Sequence, residues 1–352
     1  MYQRIEMIRS EIPFSLLFAG TIYTNRSIMS TPNSSAASWF AEARFGLFIH
    51  WGLYAIPAGQ WRGKQVPYIG EWIMHEERIG IAEYEQLAGQ FNPTAFDPDR
   101  WVHLARNAGM RYLVFTAKHH EGFAMFHSKV DKYNVVDATP YGRDVLAELA
   151  GACQRGGIKL GVYYSHCVDW HEAHGGNLAG DLKDDGTIWG NDWDFPPGTA
   201  EGFDQYLQRK VEPQLTELLG GYGPISLIWF DTPTAGLQRY QASRLRSLVK
   251  RLQPDCLISN RIGHGFEDFG GLGDNELPTG VCALPSEACI TLNDTWGYKS
   301  HDNNWKSPAV IRAMLDQCGP RNCNVLLNIG PMPSGQFPSA AVGCLEDLAQ
   351  GR

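Results

Sequence analysis

The chain has 352 residues, of which 43% are hydrophobic and 12% aromatic, and its formal net charge is −8. This apolar content excludes a disordered protein and is enough to bury a sizeable core. The acidic balance and the lack of a Lys/Arg run argue against a nucleic-acid-binding face. Nucleic acids and anionic membranes are therefore excluded as expected partners.

The first 37 residues are expected to form a tail in front of one folded domain over 38–352. They contain an apolar stretch, IPFSLLFAGTIY at 12–23, of about signal-peptide length. The stretch follows two glutamates, lacks a clear small-x-small cleavage site and is too short to span a bilayer as a helix. A degenerate export signal, a start at Met29 and a disordered tail all stay open, so the location, whether secreted, periplasmic or cytoplasmic, is left undecided.

Short, nearly continuous apolar runs follow, as expected for parallel strands that are covered on both faces. They are RFGLFIHWG (44–52), RYLVFTAKHH (111–120), KLGVYYSH (159–166), ISLIWFDT (225–232), DCLISNR (255–261) and NVLLNIGP (324–331). Helical patterns lie between them, at 96–109, 142–157, 212–223, 243–255 and 307–319. This alternation of strands and helices predicts an α/β architecture.

The ends of the strands favour a (β/α)8-like TIM barrel over a doubly wound sheet. Parallel strands bring their carboxyl ends to one rim, which is where barrel active sites are built. No glycine-rich nucleotide-binding pattern follows any of the strands. The polar residues at the predicted strand ends are His50, His119, His120, Tyr164, Asp231, Arg261 and Asn328.

Asp231 closes the apolar strand LIWFD and is the strongest candidate for chemistry. A carboxylate at the end of a buried strand needs partners, and at a barrel rim it can serve as an attacking group. Capping of the next helix or a salt bridge to Arg261 is the structural alternative. Flat aromatic side chains next to polar groups, as in GEW with Glu71 and Trp72, suit a pyranose ring.

The histidines at 50, 119 and 120 also permit a metal site, because imidazole is a common ligand of divalent metals. The sequence lacks the HxH and HExxH spacings of many metallohydrolases, and donation to sugar hydroxyls explains the histidines equally well. None of the eight cysteines forms a CxxC pair. Cys318 and Cys323 are close enough to bridge, or they are reduced thiols.

Several long motifs closely resemble family 29 of the glycoside hydrolases, the α-L-fucosidases. They are WFAEARFGLFIHWGLYA, GEW, FDPDRWVHLARNAGMRYLVFTAKHHEGFAMFHS, LGVYYS, LIWFD, NDTWGY and NVLLNIGPMPSG, and they cover about residues 38–340. The resemblance implies a retaining exo-glycosidase that acts on fucosylated oligosaccharides or glycoconjugates and needs no cofactor or metal. It implies that Asp231 is the nucleophile. It also implies a fucose-binding set of His50, Glu71, Trp72, His119, His120, Tyr164 or its neighbour Tyr163, Trp229, Arg261 and Trp296.

The acid/base residue departs from the family pattern. Many relatives read approximately GDYETPE after the arginine strand, whereas residues 273–280 read GDNELPTG, which places Thr279 at the usual glutamate. A threonine hydroxyl is too weakly acidic for general acid catalysis. Glu276 is the predicted acid/base residue, with Asp274 and Glu287 as alternatives, and retention requires the two carboxyl groups about 5–5.5 Å apart.

Two further expectations follow from these departures. The β-sandwich that many relatives carry after the barrel is absent from the sequence, which predicts a more open cleft or a partner subunit, such as a homo-oligomer, that fills the gap. The substitution at Thr279 also motivates a rival function, a catalytically weakened, lectin-like fucose-binding barrel. A metal-dependent barrel hydrolase is the third alternative. The sequence leaves open whether L-fucose or L-galactose is preferred, and which linkage and aglycone.

Overall fold

The computed structural model of the protein describes residues 34–351. The predicted export-type stretch at 12–23 therefore lies outside the described residues. Within the described range, no helix is long and apolar enough to cross a membrane.

Ten β-strands occur in this range, and eight of them form one parallel sheet. The strands are β1 (Phe45–Ile49), β2 (Gln60–Trp61), β3 (Lys64–Gln65), β4 (Tyr112–Lys118), β5 (Lys159–Ser165), β6 (Leu227–Asp231), β7 (Leu257–Ile258), β8 (Gly270–Gly271), β9 (Ser286–Thr291) and β10 (Cys323–Ile329). Strands β2 and β3 pair with each other as a small antiparallel hairpin.

The parallel strands run in the order β7-β6-β5-β4-β1-β10-β9-β8. A parallel bridge between Ser259, just after β7, and Phe269, just before β8, joins the two ends of this order. The backbone amides of Asp268 and Phe269 also donate to the carbonyl of Ile258. The eight strands thus close into a ring, and the predicted (β/α)8-like barrel is confirmed.

Ten α-helices occur in the described range, and several of their bounds follow local sequence signals. The helices are α1 (Ser34–Ala43), α2 (Ile73–Glu76), α3 (Ile81–Tyr84), α4 (Pro98–Asn107), α5 (Val145–Gly156), α6 (Ala200–Tyr206), α7 (Glu212–Gly221), α8 (Arg239–Leu252), α9 (Pro308–Cys318) and α10 (Ser339–Ala349). A π-helical segment, Leu207–Val211, joins α6 to α7. Helix α5 begins where Asp144 accepts from the Ala147 amide and ends before Gly157, whose φ of 68° is easy only for glycine.

The interior of the barrel is closed at the amino-terminal ends of the strands. Phe40 of α1 lies there, with its ring 4.5 Å from that of Phe269 and 5.9 Å from that of Tyr112. The side-chain amide of Asn324 donates to the Phe40 carbonyl and fixes the helix in place. Because this end is plugged, a ligand reaches the interior only from the carboxyl ends of the strands.

The cysteines take no part in cross-linking. All eight lie in the described range, and all are free. The thiols of Cys318 and Cys323 are near enough to hydrogen-bond, and this contact lowers the pKa of Cys318. The sequence left a disulfide bond or two reduced thiols open for this pair, and the structure contains the reduced thiols.

Candidate active site at the carboxyl ends of the barrel strands

A pocket with an empty volume of about 520 Å³ opens at the carboxyl ends of the barrel strands. Most of the residues predicted from sequence meet there, although they come from strands and loops that are far apart in the chain. The lining residues are Phe48, His50, Ile69, Glu71, Trp72, His119, His120, Tyr163, Trp189, Trp229, Asp231, Thr232, Arg261, Asp274, Cys289 and Trp296.

Asp231, the last residue of β6, is 8% exposed and is held by donors on both of its carboxylate oxygens. The Tyr163 hydroxyl donates to Oδ2 at 2.8 Å. Arg261 Nη1 donates to Oδ1 at 2.9 Å, and the backbone amide of Thr232 donates to the same oxygen at 2.8 Å. The side chain is therefore fixed in one orientation by three different groups.

These donors also set the charge of Asp231. Burial would raise the pKa of this carboxyl group, but the positive charge of Arg261 and the hydrogen bond from Tyr163 outweigh it and lower the pKa to about 2. Thr232 has a φ of 52°, an uncommon conformation for a β-branched residue. Backbone strain of this kind is concentrated at functional sites. The site thus holds an ionised carboxylate on a strained turn.

The three histidines of the pocket are neutral at ordinary pH. Burial lowers the pKa of His50 to about 3 and that of His120 to about 4, and it lowers the pKa of His119 as well. The His119 ring stacks on Tyr163 at a centroid distance of 5.1 Å. Neutral imidazoles add no positive charge to the pocket, so the only cation beside Asp231 among the lining residues is Arg261.

Glu71 and the tryptophans form the remaining walls. Glu71 is 1% exposed, and its Oε2 accepts from the Gly297 amide at 2.7 Å. Burial raises the pKa of Glu71 to about 7, so it can offer a sugar either a donor or an acceptor. The Trp229 ring contacts the Arg261 guanidinium at 4.6 Å and the stacked Tyr163 ring at 5.7 Å.

One predicted binding residue points away from the pocket. The hydroxyl of Tyr164 donates to Gln214 on α7 at 2.7 Å, and its ring lies under Lys118 on the outer face of the sheet. Successive side chains of a strand face opposite sides, so Tyr163 faces the pocket when Tyr164 does not. Of the two neighbouring tyrosines that the sequence left open, Tyr163 lines the pocket and Tyr164 does not.

The candidates for a second carboxyl group lie in three different places. Asp274 lines the pocket and forms an ion pair with Arg261 Nη2. Glu276, the predicted acid/base residue, is exposed, does not line the pocket and accepts instead from the Gly273 amide at 3.1 Å. Thr279 is also exposed and does not line the pocket.

Glu287 lies deeper, inside the barrel beneath the pocket. Its Oε2 accepts from the Tyr112 hydroxyl at 2.6 Å, and burial raises its pKa to about 8. Tyr112 is in contact with Phe40 of the plugging helix, which places this pair toward the closed end of the barrel. Glu287 does not line the pocket, and its position is that of a buried structural residue.

Sequence reasoning missed five lining residues: Phe48, Ile69, Trp189, Thr232 and Cys289. Phe48 of β1 lies two residues before His50, so the two-residue period of a strand would have predicted it. Cys289, 3.9 Å from Arg261 Nη2, is likewise two residues after Glu287. Trp189 comes from the long loop after β5, where no periodic pattern exists to indicate its direction.

The pocket offers no metal site of the usual composition. Within residues 34–351, no group of three or more His, Cys, Asp or Glu side chains is arranged to hold a metal ion. The imidazoles of His50 and His120 bind Asn328 and Ser165 through Nδ1. What the arrangement can do is place a neutral, hydroxyl-rich ring between aromatic walls, with an ionised carboxylate beside it.

The α-L-fucosidase family model matches residues 21–350. The chain belongs to the α-L-fucosidase family. Tissue α-L-fucosidase of Rattus norvegicus is 32% identical over 317 residues, which are 84% of this chain and 64% of the relative. The tissue enzyme of Homo sapiens is 28% identical over 319 residues, 85% of this chain and 63% of the relative. The chain thus spans slightly less than two thirds of the length of these relatives.

Solved structures of family members share the fold. The α-L-fucosidase AlfC of Lactobacillus casei, in complex with its α-L-fucose product, superposes with a TM-score of 0.82 at 44% identity. The superposition covers 89% of this chain and 98% of AlfC. The α-L-fucosidase of Vibrio sp. strain EJY3 gives a TM-score of 0.85 at 34% identity, over 93% of this chain and 56% of that one.

Proposed function

We propose that the protein hydrolyses terminal α-L-fucosyl groups with retention of the anomeric configuration. The observation that carries this proposal is the ionised Asp231, fixed at the pocket by Arg261, Tyr163 and the Thr232 amide. A carboxylate held in this way, with its pKa near 2, is a charged nucleophile throughout the physiological pH range.

Asp274, rather than Glu276, is proposed as the acid/base residue. Asp231 and Asp274 bind the two terminal nitrogens of one guanidinium, which keeps the second carboxyl group beside the first. In the first step Asp231 attacks the anomeric carbon, the glycosidic bond breaks, and the leaving oxygen takes the proton of Asp274. In the second step water attacks the same carbon, Asp274 takes its proton, and the ester bond to Asp231 breaks.

The remaining lining residues are proposed to bind the sugar. His50, His119, His120 and Glu71 face its hydroxyl groups, and the tryptophans face its apolar surfaces. A variant of AlfC has been solved in complex with Fucα(1,6)GlcNAc. This disaccharide, whose leaving group is the 6-hydroxyl of N-acetylglucosamine, is therefore a suitable substrate with which to test the present chain.

Hydrolysis of 4-nitrophenyl α-L-fucoside, followed by proton NMR, tests the reaction itself. The first product formed should be α-L-fucose, because two displacements restore the original configuration. Asp231→Ala should abolish turnover, whereas Asp255→Ala, which changes an exposed aspartate outside the pocket, should leave it intact. β-L-fucose as the first product would contradict the double displacement. Binding of fucose without turnover by the wild type would favour the lectin-like alternative.

The anomeric configuration of azide adducts separates the two carboxylates. In Asp274→Ala, azide should attack the fucosyl-enzyme from the face that water uses and give α-L-fucosyl azide. In Asp231→Gly, azide should replace the nucleophile and give β-L-fucosyl azide. Glu276→Ala is the matched control in the same loop and should form no azide adduct. An α-azide from Glu276→Ala, with none from Asp274→Ala, would return the acid/base role to Glu276.

A further inference from the structure

Two histidines at the ends of neighbouring strands of the barrel share an unusual arrangement. His50 follows β1, and His120 follows β4, which pairs with β1. Nδ1 of each ring contacts a polar side chain, Asn328 for His50 and Ser165 for His120. Each of these side chains also donates a hydrogen bond to a backbone carbonyl. That donation determines which nitrogen of the histidine ring carries the proton.

The Ser165 hydroxyl determines the tautomer of His120. This hydroxyl lies 2.6 Å from the carbonyl oxygen of Val168 and 2.6 Å from Nδ1 of His120. A carbonyl oxygen can only accept, so the single hydroxyl proton of Ser165 points to Val168. The serine oxygen must then accept from His120, which places the proton of the ring on Nδ1.

The side-chain amide of Asn328 determines the tautomer of His50 by the same logic. Its Nδ2 donates to the carbonyl oxygen of Trp296 at 2.8 Å, which fixes the orientation of the amide. Its Oδ1 therefore faces Nδ1 of His50 at 2.7 Å, and an amide oxygen can only accept. The proton of the His50 ring is thus also on Nδ1.

Both rings consequently present a bare Nε2 as their remaining polar atom. Burial lowers the pKa values of the two rings to about 3 and about 4, so neither nitrogen gains a second proton near neutral pH. Nε2 of His120 lies 3.6 Å from Oδ2 of Asp231. With no proton on Nε2 this contact is not an ion pair, and Asp231 already receives hydrogen bonds from Tyr163, Arg261 and Thr232.

We infer that Ser165 and Asn328 are positioning residues that fix His120 and His50 as hydrogen-bond acceptors for substrate hydroxyl groups. The inference rests on the proposed function and refines its sugar-binding site. A hydroxyl group that reaches Nε2 of His120 is also next to the nucleophile, so it belongs to the carbon adjacent to the anomeric carbon. The pocket therefore selects a sugar whose 2-hydroxyl donates its proton, a hydrogen bond that retaining glycosidases strengthen in the transition state.

Nitrogen-15 NMR of imidazole-labelled protein reads the tautomers directly. The signals of the two rings are assigned by their loss in His50→Gln and His120→Gln. Both rings should show protonated Nδ1 and unprotonated Nε2 in the wild type. In Ser165→Ala the preference of His120 should disappear, while that of His50 persists. A protonated Nε2 on His120 in the wild type would overturn the inference.

Isothermal titration calorimetry with two free sugars measures whether the pocket prefers a sugar that donates a hydrogen bond at carbon 2. L-fucose donates through its 2-hydroxyl, whereas 2-deoxy-2-fluoro-L-fucose has only an acceptor at that position. The wild type should bind L-fucose about tenfold more tightly than the fluorosugar, as one hydrogen bond to a buried acceptor allows. In Ser165→Ala the ratio of the two dissociation constants should approach one. Without the serine acceptor, the neutral His120 ring can carry its proton on Nε2 and donate to the fluorine or the hydroxyl oxygen.

Two control variants keep this test independent of folding defects. Ser165→Thr retains the hydroxyl and should retain the ratio, and so should Ser247→Ala on the outer helix α8. A purely structural role of Ser165 would weaken both sugars by the same factor in Ser165→Ala, and that result would overturn the inference. If the wild type shows the ratio but does not cleave 4-nitrophenyl α-L-fucoside, the proposed function fails while the assignment of the acceptors stands.

Discussion

Arg261 is the residue on which both carboxylates of the proposed mechanism depend. Its two terminal nitrogens contact Asp231 and Asp274, and its guanidinium lies over the ring of Trp229. A planar fork of this kind suits arginine and not lysine. The charge that it supplies opposes the effect of burial on Asp231 and keeps that side chain ionised.

Replacement of Arg261 by methionine should therefore raise the pKa of Asp231, because burial is then opposed only by weaker groups. Asp231 must be ionised to attack, so the acid limb of kcat/KM should move to higher pH than in the wild type. The pH profile of 4-nitrophenyl α-L-fucoside hydrolysis measures this shift. Arg155→Met, which removes an exposed arginine of α5, should leave the profile unchanged. An unshifted acid limb in Arg261→Met would contradict the assigned role.

The individual site residues differ in how far they could be predicted. Asp231, His50 and Arg261 could be located because a polar side chain ends an apolar run. Tyr163 and Tyr164 could not be distinguished in this way. Parallel strands are buried on both faces, so their sequence does not indicate which alternate residues face the interior. The choice depends on the pairing of Tyr163 with Trp229 across β5 and β6, which only the structure gives.

At the scale of elements, the loop between β8 and β9 decides which acid enters the pocket. Asn275 has a φ of 59°, and its Oδ1 accepts from the backbone amide of Thr291 on β9 at 2.9 Å. This contact fixes the loop so that Asp274 faces Arg261 while Glu276 turns to the Gly273 amide. Sequence spacing alone favoured Glu276, since loop conformation has no periodicity from which a direction can be read.

A buried group of charges fastens the loop after β5 to the strand that carries the histidines. Asp169 of this loop contacts Nζ of Lys118 at 2.9 Å and Nζ of Lys210 at 3.1 Å, and all three side chains are fully buried. Lys118 directly precedes His119, and the amide of Trp170 donates to the His120 carbonyl. The charge group therefore holds the backbone that positions both histidines.

Asp169→Asn should lower the free energy of unfolding by about 3–5 kcal/mol, because it leaves the buried ammonium group of Lys118 without its carboxylate, whereas Lys210 keeps its contacts with Asp131 and Glu172. Urea unfolding measured by tryptophan fluorescence checks this value. Asp185→Asn is the matched control, since Asp185 lies in the same loop but is exposed, and its effect should be small beside that of Asp169→Asn. A loss of stability below about 1 kcal/mol in Asp169→Asn would contradict the claim that Lys118 depends on this carboxylate.

At the scale of the whole molecule, the arrangement of elements was largely predictable. The six predicted strands all occur, and each of the five predicted helical segments contains a helix. Apolar runs, helix caps and the alternation of the two element types carry this information. Strand β8 consists of only two glycines, so it has no side-chain pattern that could be recognised. Its place in the ring follows from barrel closure, a property of the complete sheet.

Buried histidines and buried carboxylic acids of the molecule have opposite effects on its stability. Five buried histidines have lowered pKa values: His50, His75, His119, His120 and His166. A lowered folded-state pKa gives stability that is lost as the pH falls below about 6.5, the unfolded value. Burial raises the pKa of Glu71 and Glu121 to about 7 and that of Glu287 to about 8, and their contribution is lost as the pH rises.

The free energy of unfolding should therefore be greatest near pH 6.5. Below this pH the five histidines outnumber the four buried acids with raised pKa values, Asp181 included, so stability falls, and above it the three glutamates titrate, so stability falls again up to about pH 8. Urea midpoints between pH 5 and pH 8.5 measure the curve. Glu287→Gln should reduce the loss between pH 6.5 and pH 8 by about 2 kcal/mol. A curve that rises steadily to pH 8 would contradict the assigned protonation states.

The central claim is that Asp231 forms a covalent bond to the sugar. Incubation with 2-deoxy-2-fluoro-L-fucosyl fluoride, whose fluorine slows the second step, should trap the fucosyl-enzyme. Peptide mass spectrometry should then find one 2-fluorofucosyl group on Asp231 and none in Asp231→Ala. An adduct on any other residue, or turnover of the reagent by Asp231→Ala at the wild-type rate, would contradict the account.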